Sequence, residues 1–398
     1  MSLEIEIREA FERHSADATP AGDMWTGIER RIRRSHRTRM ILSGAGAAMA
    51  IAAIAFAVPR LVADTVEPIL PRPVPASTPV ITATIPVGEF GLAAGEDAVW
   101  AIQRDLSGGT LVRIATRTNK VVARIALGLA PLSVAVGEDA VWVTNSRGCS
   151  SFVSCDPEAS PLPEPFPEQN SLMRIDPRTN RVVATVRMKD PIDVATGFDA
   201  VWVTAAEETG TGIALVRVDP RSNLVSARVS LGESGVLAFV ATGEGSVWVT
   251  TVPESNGGAA RTRVHRIDPS TNTIVETIEV AGMDGPAALA VGEGAVWVAV
   301  LGPVGPSAIA RIDPRTNRVT ATVVLPEAPP DGLQDVTTAE GYVWATSRRG
   351  YLWRVDPRVL APFGDPLLIG GMPATTVVFG SGSLWVGSGD GNIRRIAP

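Results

Sequence analysis

Residues that build metal centres and catalytic sites are scarce in this chain. Three His and two Cys in 398 residues exclude most zinc centres and cysteine-rich frameworks. Basic charge is not in excess either. Lys and Arg number 36 against 42 Asp and Glu, a net of −6, whereas a nucleic-acid-binding chain is expected to be basic. No nucleic acid is therefore expected as a partner. Tyr is reduced to two, yet there are nine Trp. Mean hydropathy is +0.17 although 20% of residues are charged, so apolar residues must be concentrated in particular segments.

One such segment is Met40–Val58 (MILSGAGAAMAIAAIAFAV), nineteen residues without a charge. At about 1.5 Å per helical residue it matches a bilayer core. Residues 24–39 before it hold six Arg and one Glu, and the positive-inside rule keeps such a flank cytoplasmic. The expected organisation is a basic, amphipathic cytoplasmic tail (1–39), a single transmembrane helix (40–58), a Pro-rich semi-rigid linker (59–79) and an extracytoplasmic domain (80–398) in a single-pass cell-membrane protein. A cleaved signal peptide ending near Ala55-Phe56-Ala57 is the competing reading, although a 39-residue leader is long for one. In the tail, Trp25, Ile28 and Ile32 share one face and Arg the other. That face suits anionic lipid headgroups, and a cytoplasmic partner is the alternative.

From residue 80 onward the chain repeats. Seven Trp (Trp100, Trp142, Trp202, Trp248, Trp297, Trp344 and Trp385) each follow a turn residue by five positions, and that residue is Gly except at Ala339. After each Trp comes a second motif such as Arg174-Ile-Asp-Pro, and in the first five repeats an Asn sits six residues after the Arg (Asn119, Asn180, Asn223, Asn272, Asn317). Asp-Pro opens a type I turn and Asn tolerates the left-handed position that closes it. Each repeat therefore reads as four strands: one before the Gly turn, the Trp strand, the Arg-Ile-Asp strand and a Val-Ala-Thr-Val strand. Units of this length repeated seven times indicate an all-β, seven-bladed β-propeller. The last repeat lacks its fourth strand, and Ile81-Thr-Ala-Thr-Ile85 has the right pattern to supply it, so the N-terminal strand is expected to close the ring.

Val143-Thr144-Asn145 after Trp142 and the run Ile175-Asp-Pro-Arg-Thr-Asn-Arg-Val-Val-Ala-Thr-Val186 resemble the YVTN family of bacterial β-propeller repeats over residues 80–398. The sixth and seventh repeats depart, with Arg358-Val-Leu replacing Arg-Thr-Asn in the sixth and the sequence ending at that point in the seventh. The wider group includes propellers similar to streptogramin B lyases, and this resemblance implies a His acid/base and a divalent metal held by acidic groups. The one His in 80–398 is His265, on a third strand in a register that matches no such position. No cofactor is implied by the residues themselves, and whether a metal binds is left open.

The seven Trp are read as core between blades, and the Arg and Asp of the second motif as turn and blade-edge residues. Trp353 lies outside the row and is expected to be freer for exposure. Turn spacings are constant at one end of the strands, whereas Trp-to-Arg loops vary at the other, which marks the second face as the elaborated one. Its longest loop, 145–170, carries Cys149 and Cys155, expected as a local disulfide in an exported domain, with a metal pair as the alternative. A second candidate site lies at the axis. Four residues before each turn stand Gly91, Ser133, Asp193, Phe239, Ala288, Asp335 and Thr376. Of these, Ser133, Asp193, Phe239, Asp335 and Thr376 are candidate ligand contacts, and the two carboxylates could instead cap neighbouring amides. The function expected is an extracytoplasmic binding or scaffold module for an unidentified ligand or protein, without assigned catalytic residues. The alternatives are a lyase or hydrolase of the streptogramin B lyase-like type using Asp193 or Asp335, and a signalling protein coupling ectodomain binding to the tail.

Overall fold

A continuous apolar run about each Trp produces strands that are buried on both faces. Val141, Trp142 and Val143 all have essentially no exposure, as do Val201, Trp202 and Val203. Such strands form the interior of a stack of sheets. In the computed structural model the described residues are 78–398, apart from 89–90, 106–107, 129, 147–169, 210–211, 235–237, 253–261, 282–287, 301–306, 326–331 and 371–372. The tail, the apolar run 40–58, most of the linker and the Cys149–Cys155 pair lie outside them.

The described residues form seven antiparallel sheets, the blades of a propeller. Blade 3 illustrates the unit, with strands Pro191–Thr196, Val201–Ala206, Gly212–Asp219 and Leu224–Ser234 paired in that order. In blade 7 the strands Ala374–Gly380, Ser383–Ser388 and Asn392–Ala397 are completed by Val80–Pro86, with Ile85 opposite Ile393. Joining the first strand to the last sheet leaves no open end in the ring. In blade 6 the fourth strand is broken into Ala361–Pro362 and Leu367–Leu368.

The core is divided among the seams. Trp100, Leu111 and Ile125 of blade 1 pack with Val141, Val143 and Met173 of blade 2. Trp385 and Ile393 of blade 7 pack with Val99 and Val112 of blade 1. Six of the Trp indoles also donate to the carbonyl of the turn residue five positions back, for example Trp142 Nε1 to Gly137 O at 3.1 Å and Trp344 Nε1 to Ala339 O at 3.1 Å. That bond accounts for the constant spacing. Glycine in the turn has a separate cause. A Cβ on Gly137 would stand 2.2 Å from Thr196 Oγ1 of the next blade, and one on Gly292 2.3 Å from Thr338 Oγ1.

Two sequence expectations need correction. Trp353 is not free for exposure. It is 2% exposed and packs among Trp297, Ile309 and Val323 at the seam between blades 5 and 6, because its alternate position on the third strand faces that seam. The Arg of the second motif is more than a blade-edge residue. Arg113, Arg174, Arg217 and Arg266 each lie over the Trp ring of their own blade and reach across the seam to the next blade's Asp-Pro turn. The five Asn do hold the left-handed turn position, with φ between 55° and 58°.

Candidate functional site: the inner-strand ring

The innermost strands face the axis of the ring, and at one end of each stands one member of the axial row. Gly91, Ser133, Asp193, Phe239, Ala288, Asp335 and Thr376 are all half-buried, as expected for residues lining the axial space and not the seams. In four blades the local backbone accounts for the placement. The ladder to the Trp strand shifts register at Pro191/Asp193, Leu333/Asp335, Pro131/Val134 and Ala374/Val377. A bulge leaves a backbone N–H without its ladder partner and re-aims the side chain.

A threonine two residues after the Trp takes up the freed N–H. Ser133 N donates to Thr144 Oγ1 at 3.0 Å and Asp193 N to Thr204 Oγ1 at 3.1 Å. The same hydroxyls reach the following blade, Thr144 Oγ1 donating to Ile192 O at 3.2 Å and Thr204 Oγ1 to Ala238 O at 2.7 Å. Thr346 likewise donates to Thr375 O at 3.2 Å. These threonines were not singled out from sequence, although their recurrence after Trp142, Trp202, Trp248 and Trp344 is visible there.

The two carboxylates are held by the same inter-blade scheme. Asp193 Oδ1 accepts from Ser133 Oγ of blade 2 at 2.6 Å, and Oδ2 accepts from Val240 N of blade 4 at 2.8 Å. One side chain therefore ties three successive inner strands. Burial pushes the Asp193 carboxyl above its ordinary range, and the bonds from Ser133 and from the amides of Val240 and Val194 pull it back. Asp335 Oδ1 accepts from its neighbour Val336 N and Oδ2 from Val377 N of blade 7, each at 2.8 Å. The structure thus brings Ser133 and Asp193 into direct contact and places Asp335 three blades further round. Phe239 adds an apolar ring and Thr376 a hydroxyl at the same level of their own blades.

The remaining candidate for acid/base chemistry, His265, is 2% exposed. Its Nε2 meets Thr251 Oγ1 at 2.8 Å and its Nδ1 meets Thr277 Oγ1 at 3.0 Å. Both ring nitrogens are thereby used to bind the second, third and fourth strands of blade 4. Among the described residues no group of three or more His, Cys, Asp or Glu is placed to hold a metal ion. Much of the elaborated face (147–169, 253–261 and 210–211) lies outside the described residues.

Comparisons with known proteins bear on the fold. No protein-family model matches the chain, and no curated protein sequence matches it. Solved structures do. Virginiamycin B lyase from Staphylococcus aureus superposes with a TM-score of 0.61 at 14% identity over 81% of this chain and 100% of that one. Its catalytically inactive histidine-to-alanine variant, solved with quinupristin, gives 0.60 at 14% identity over 81% and 98%. Hydrazine synthase from Kuenenia stuttgartiensis gives 0.60 at 11% identity over 80% and 97%. At these identities the likeness establishes that the chain shares the β-propeller fold with these proteins.

Proposed function

We propose that this chain is a binding propeller of the YVTN-repeat type, displayed outside the cell by the anchor 40–58, and that it recognises its ligand without transforming it. The observation that carries this reading is the commitment of the ionisable groups around the axis. Asp193 ties its two neighbouring inner strands through both carboxylate oxygens, Asp335 caps its own Val336 amide with one oxygen and reaches blade 7 with the other, and His265 is fixed between two threonines. A general acid or base needs a proton site facing the substrate. Here those groups are engaged in joining strands, while the half-buried rim of Ser133, Phe239 and Thr376 offers polar and apolar contacts of the kind that orient a ligand.

The likeness to virginiamycin B lyase supports a second reading, a lyase or hydrolase of the streptogramin B lyase-like type acting through an acid/base residue. It is disfavoured because the one His of the propeller is closed off. The two readings separate in one assay. Full-length protein in detergent is expected to leave virginiamycin B unchanged, with or without Mg²⁺. Turnover that disappears in Asp193→Asn or Asp335→Asn would replace recognition by catalysis.

Display outside the membrane rests on the Arg-rich flank and the apolar run that follows it. Protease treatment of intact cells is expected to digest 80–398 and spare the tail, and a protected propeller would reverse the topology. The Cys149–Cys155 disulfide belongs to the same proposal. Two free thiols in the mature protein would remove it.

A further inference from the structure

The outer clasp between blades recurs at five of the seven seams. Blade 7 has no such turn, because its outer strand comes from the start of the propeller, so the seam between blades 5 and 6 is the one where the turn is present and the clasp is not made. In the regular form an Arg donates through Nη1 to the backbone carbonyl and the Asn Oδ1 of the next blade's turn. Arg174 meets Pro220 O at 2.7 Å and Asn223 Oδ1 at 3.1 Å, and Arg266 meets Pro314 O at 2.6 Å and Asn317 Oδ1 at 2.8 Å. Arg113, Arg217 and Arg395 do the same.

In blade 6 the Asn position is Leu360. The turn backbone is unchanged. Leu360 N donates to Asp356 O at 2.9 Å, as Asn317 N does to Asp313 O at 2.9 Å, and Leu360 keeps a φ of 55° in the left-handed region. That region disfavours a Cβ-bearing apolar residue and suits Asn. Only the carboxamide is lost. Arg311, the donor of this seam, turns back to its own blade and bonds Thr320 Oγ1 at 2.8 Å. Its guanidinium stands 5.9 Å from the Trp297 ring, against 5.2 to 5.5 Å for the five clasped Arg.

The vacated seam opens as a cleft of about 470 Å³ lined by Glu293, Arg311, Gly341, Pro357, Arg358 and Leu360. That volume falls within the range of small-molecule sites. The acids around it are occupied elsewhere. Asp356 Oδ1 accepts from Arg358 N at 2.8 Å and from Arg358 Nε at 3.2 Å, and Glu293 Oε1 accepts from Gly341 N at 3.1 Å. Among the described residues Arg311 has no carboxylate partner, and most of its five N–H donors have no protein acceptor.

We propose that the cleft between blades 5 and 6 binds a carboxylate-bearing ligand, whose oxygens take the Arg311 donors in place of the missing Asn carboxamide. The planar guanidinium suits paired carboxylate oxygens. Leu360, at the cleft wall, is placed to cover the ligand's carbon chain. The assignment deepens the binding reading given above and rests on it for recognition over turnover. The carboxylate could belong to a free organic acid or to an acidic side chain of a peptide.

The test uses the full-length chain in detergent, titrated calorimetrically with succinate and with acetyl-Ala-Glu-Ala-amide at constant ionic strength, with inorganic phosphate as the control anion. Saturable binding of one probe is expected. Leu360→Asn restores the regular clasp, so it is expected to raise Tm and weaken binding about tenfold or more, the scale of one charge-assisted bond. Arg311→Gln is expected to weaken binding equally without raising Tm. Binding of succinate alone identifies a free acid, and binding of the peptide alone identifies a peptide. No saturable binding of either probe, phosphate binding as tightly, or Leu360→Asn binding like the wild type overturns the proposal. Turnover of virginiamycin B would overturn the recognition reading while leaving the carboxylate titration to be judged by its own result.

Discussion

Arg174 of blade 2 donates to Asn223 Oδ1 of blade 3 at 3.1 Å while its guanidinium lies 5.5 Å over the ring of Trp142 in its own blade. A core residue, a cation and a turn residue are thereby joined across one seam. Lys cannot reproduce this arrangement, because it lacks the planar fork that stacks and donates together. Arg174→Lys is expected to cost about 1–3 kcal/mol in urea unfolding, from the lost stacking and the lost charge-assisted bond. Asn223→Gly keeps the left-handed turn and loses only the acceptor, so it is expected to cost less than Asn223→Ala, which also adds left-handed strain of about 1 kcal/mol.

Gly137 presses on the next blade. Its missing Cβ would lie 2.2 Å from Thr196 Oγ1 and 2.8 Å from Thr196 Cβ. Gly137→Ala is expected to destabilise by about 1–3 kcal/mol, as overpacking does elsewhere. The equivalent residue of blade 6 is Ala339, 6% exposed and still bonded through its carbonyl to Trp344. Ala339→Gly is expected to change stability by less than Gly137→Ala, and equal effects in chemical denaturation would contradict the steric account.

Asp193 makes the propeller's stability depend on pH in an unusual direction. Its carboxyl is raised by burial, so its contribution is fully present below the ordinary Asp range of about 4 and is lost as pH rises through the higher folded value. Asp193→Asn keeps one acceptor for Val240 N and is expected to flatten this component of the profile. Asp193→Ala strands the Val240 amide and the Ser133 hydroxyl and is expected to cost about 1–3 kcal/mol at all pH values. Thermal unfolding of the three proteins between pH 4 and pH 8 reads both effects.

The turn carboxylates act in the opposite sense. Backbone amides two and three residues on, together with neighbouring hydroxyls, hold Asp176, Asp219 and Asp268 below the usual range. Their contribution is present above about pH 4 and is lost as pH falls through the lower folded values. Asp219→Asn is expected to reduce the acid-induced loss of stability, and an unchanged acid limb in the variant would remove this turn from the account.

Trp353 carries a buried indole N–H without a partner, whereas Trp344 Nε1 bonds Ala339 O at 3.1 Å. Replacing each by Phe removes similar volume but different polar terms. Trp344→Phe is expected to be more destabilising than Trp353→Phe by about 1–2 kcal/mol. Equal losses on urea denaturation would show that the unpaired donor carries no cost.

Much of the fold is legible in the sequence. Turn-to-Trp and Arg-to-Asn spacings are set within one blade, by an indole bond to a carbonyl five residues back and by a left-handed Asn. Local constraints of that kind repeat faithfully and can be counted. The axial row was also legible as a set of positions, since each member keeps a fixed offset from its turn. What its side chains do was not. Asp193 takes Ser133 and Val240, sixty residues before it and forty-seven after it, and no local pattern specifies partners on two other blades. Trp353 looked free because it stands outside the Trp row, yet its strand position turns it into the seam.

By itself the sequence determined the number of blades, their order and the closing strand, because these follow from periodicities of two and from turns a few residues long. It also marked Leu360 as a departure from the repeat. Only the tertiary structure decided what that departure means. The residue deprived of a partner is Arg311, forty-nine positions away on another blade, and the space left by the absent carboxamide is shared by turns of both blades. Blades fold by local rules, but seams and clefts form between segments distant in the chain, where the packing of one blade on the next sets which groups meet.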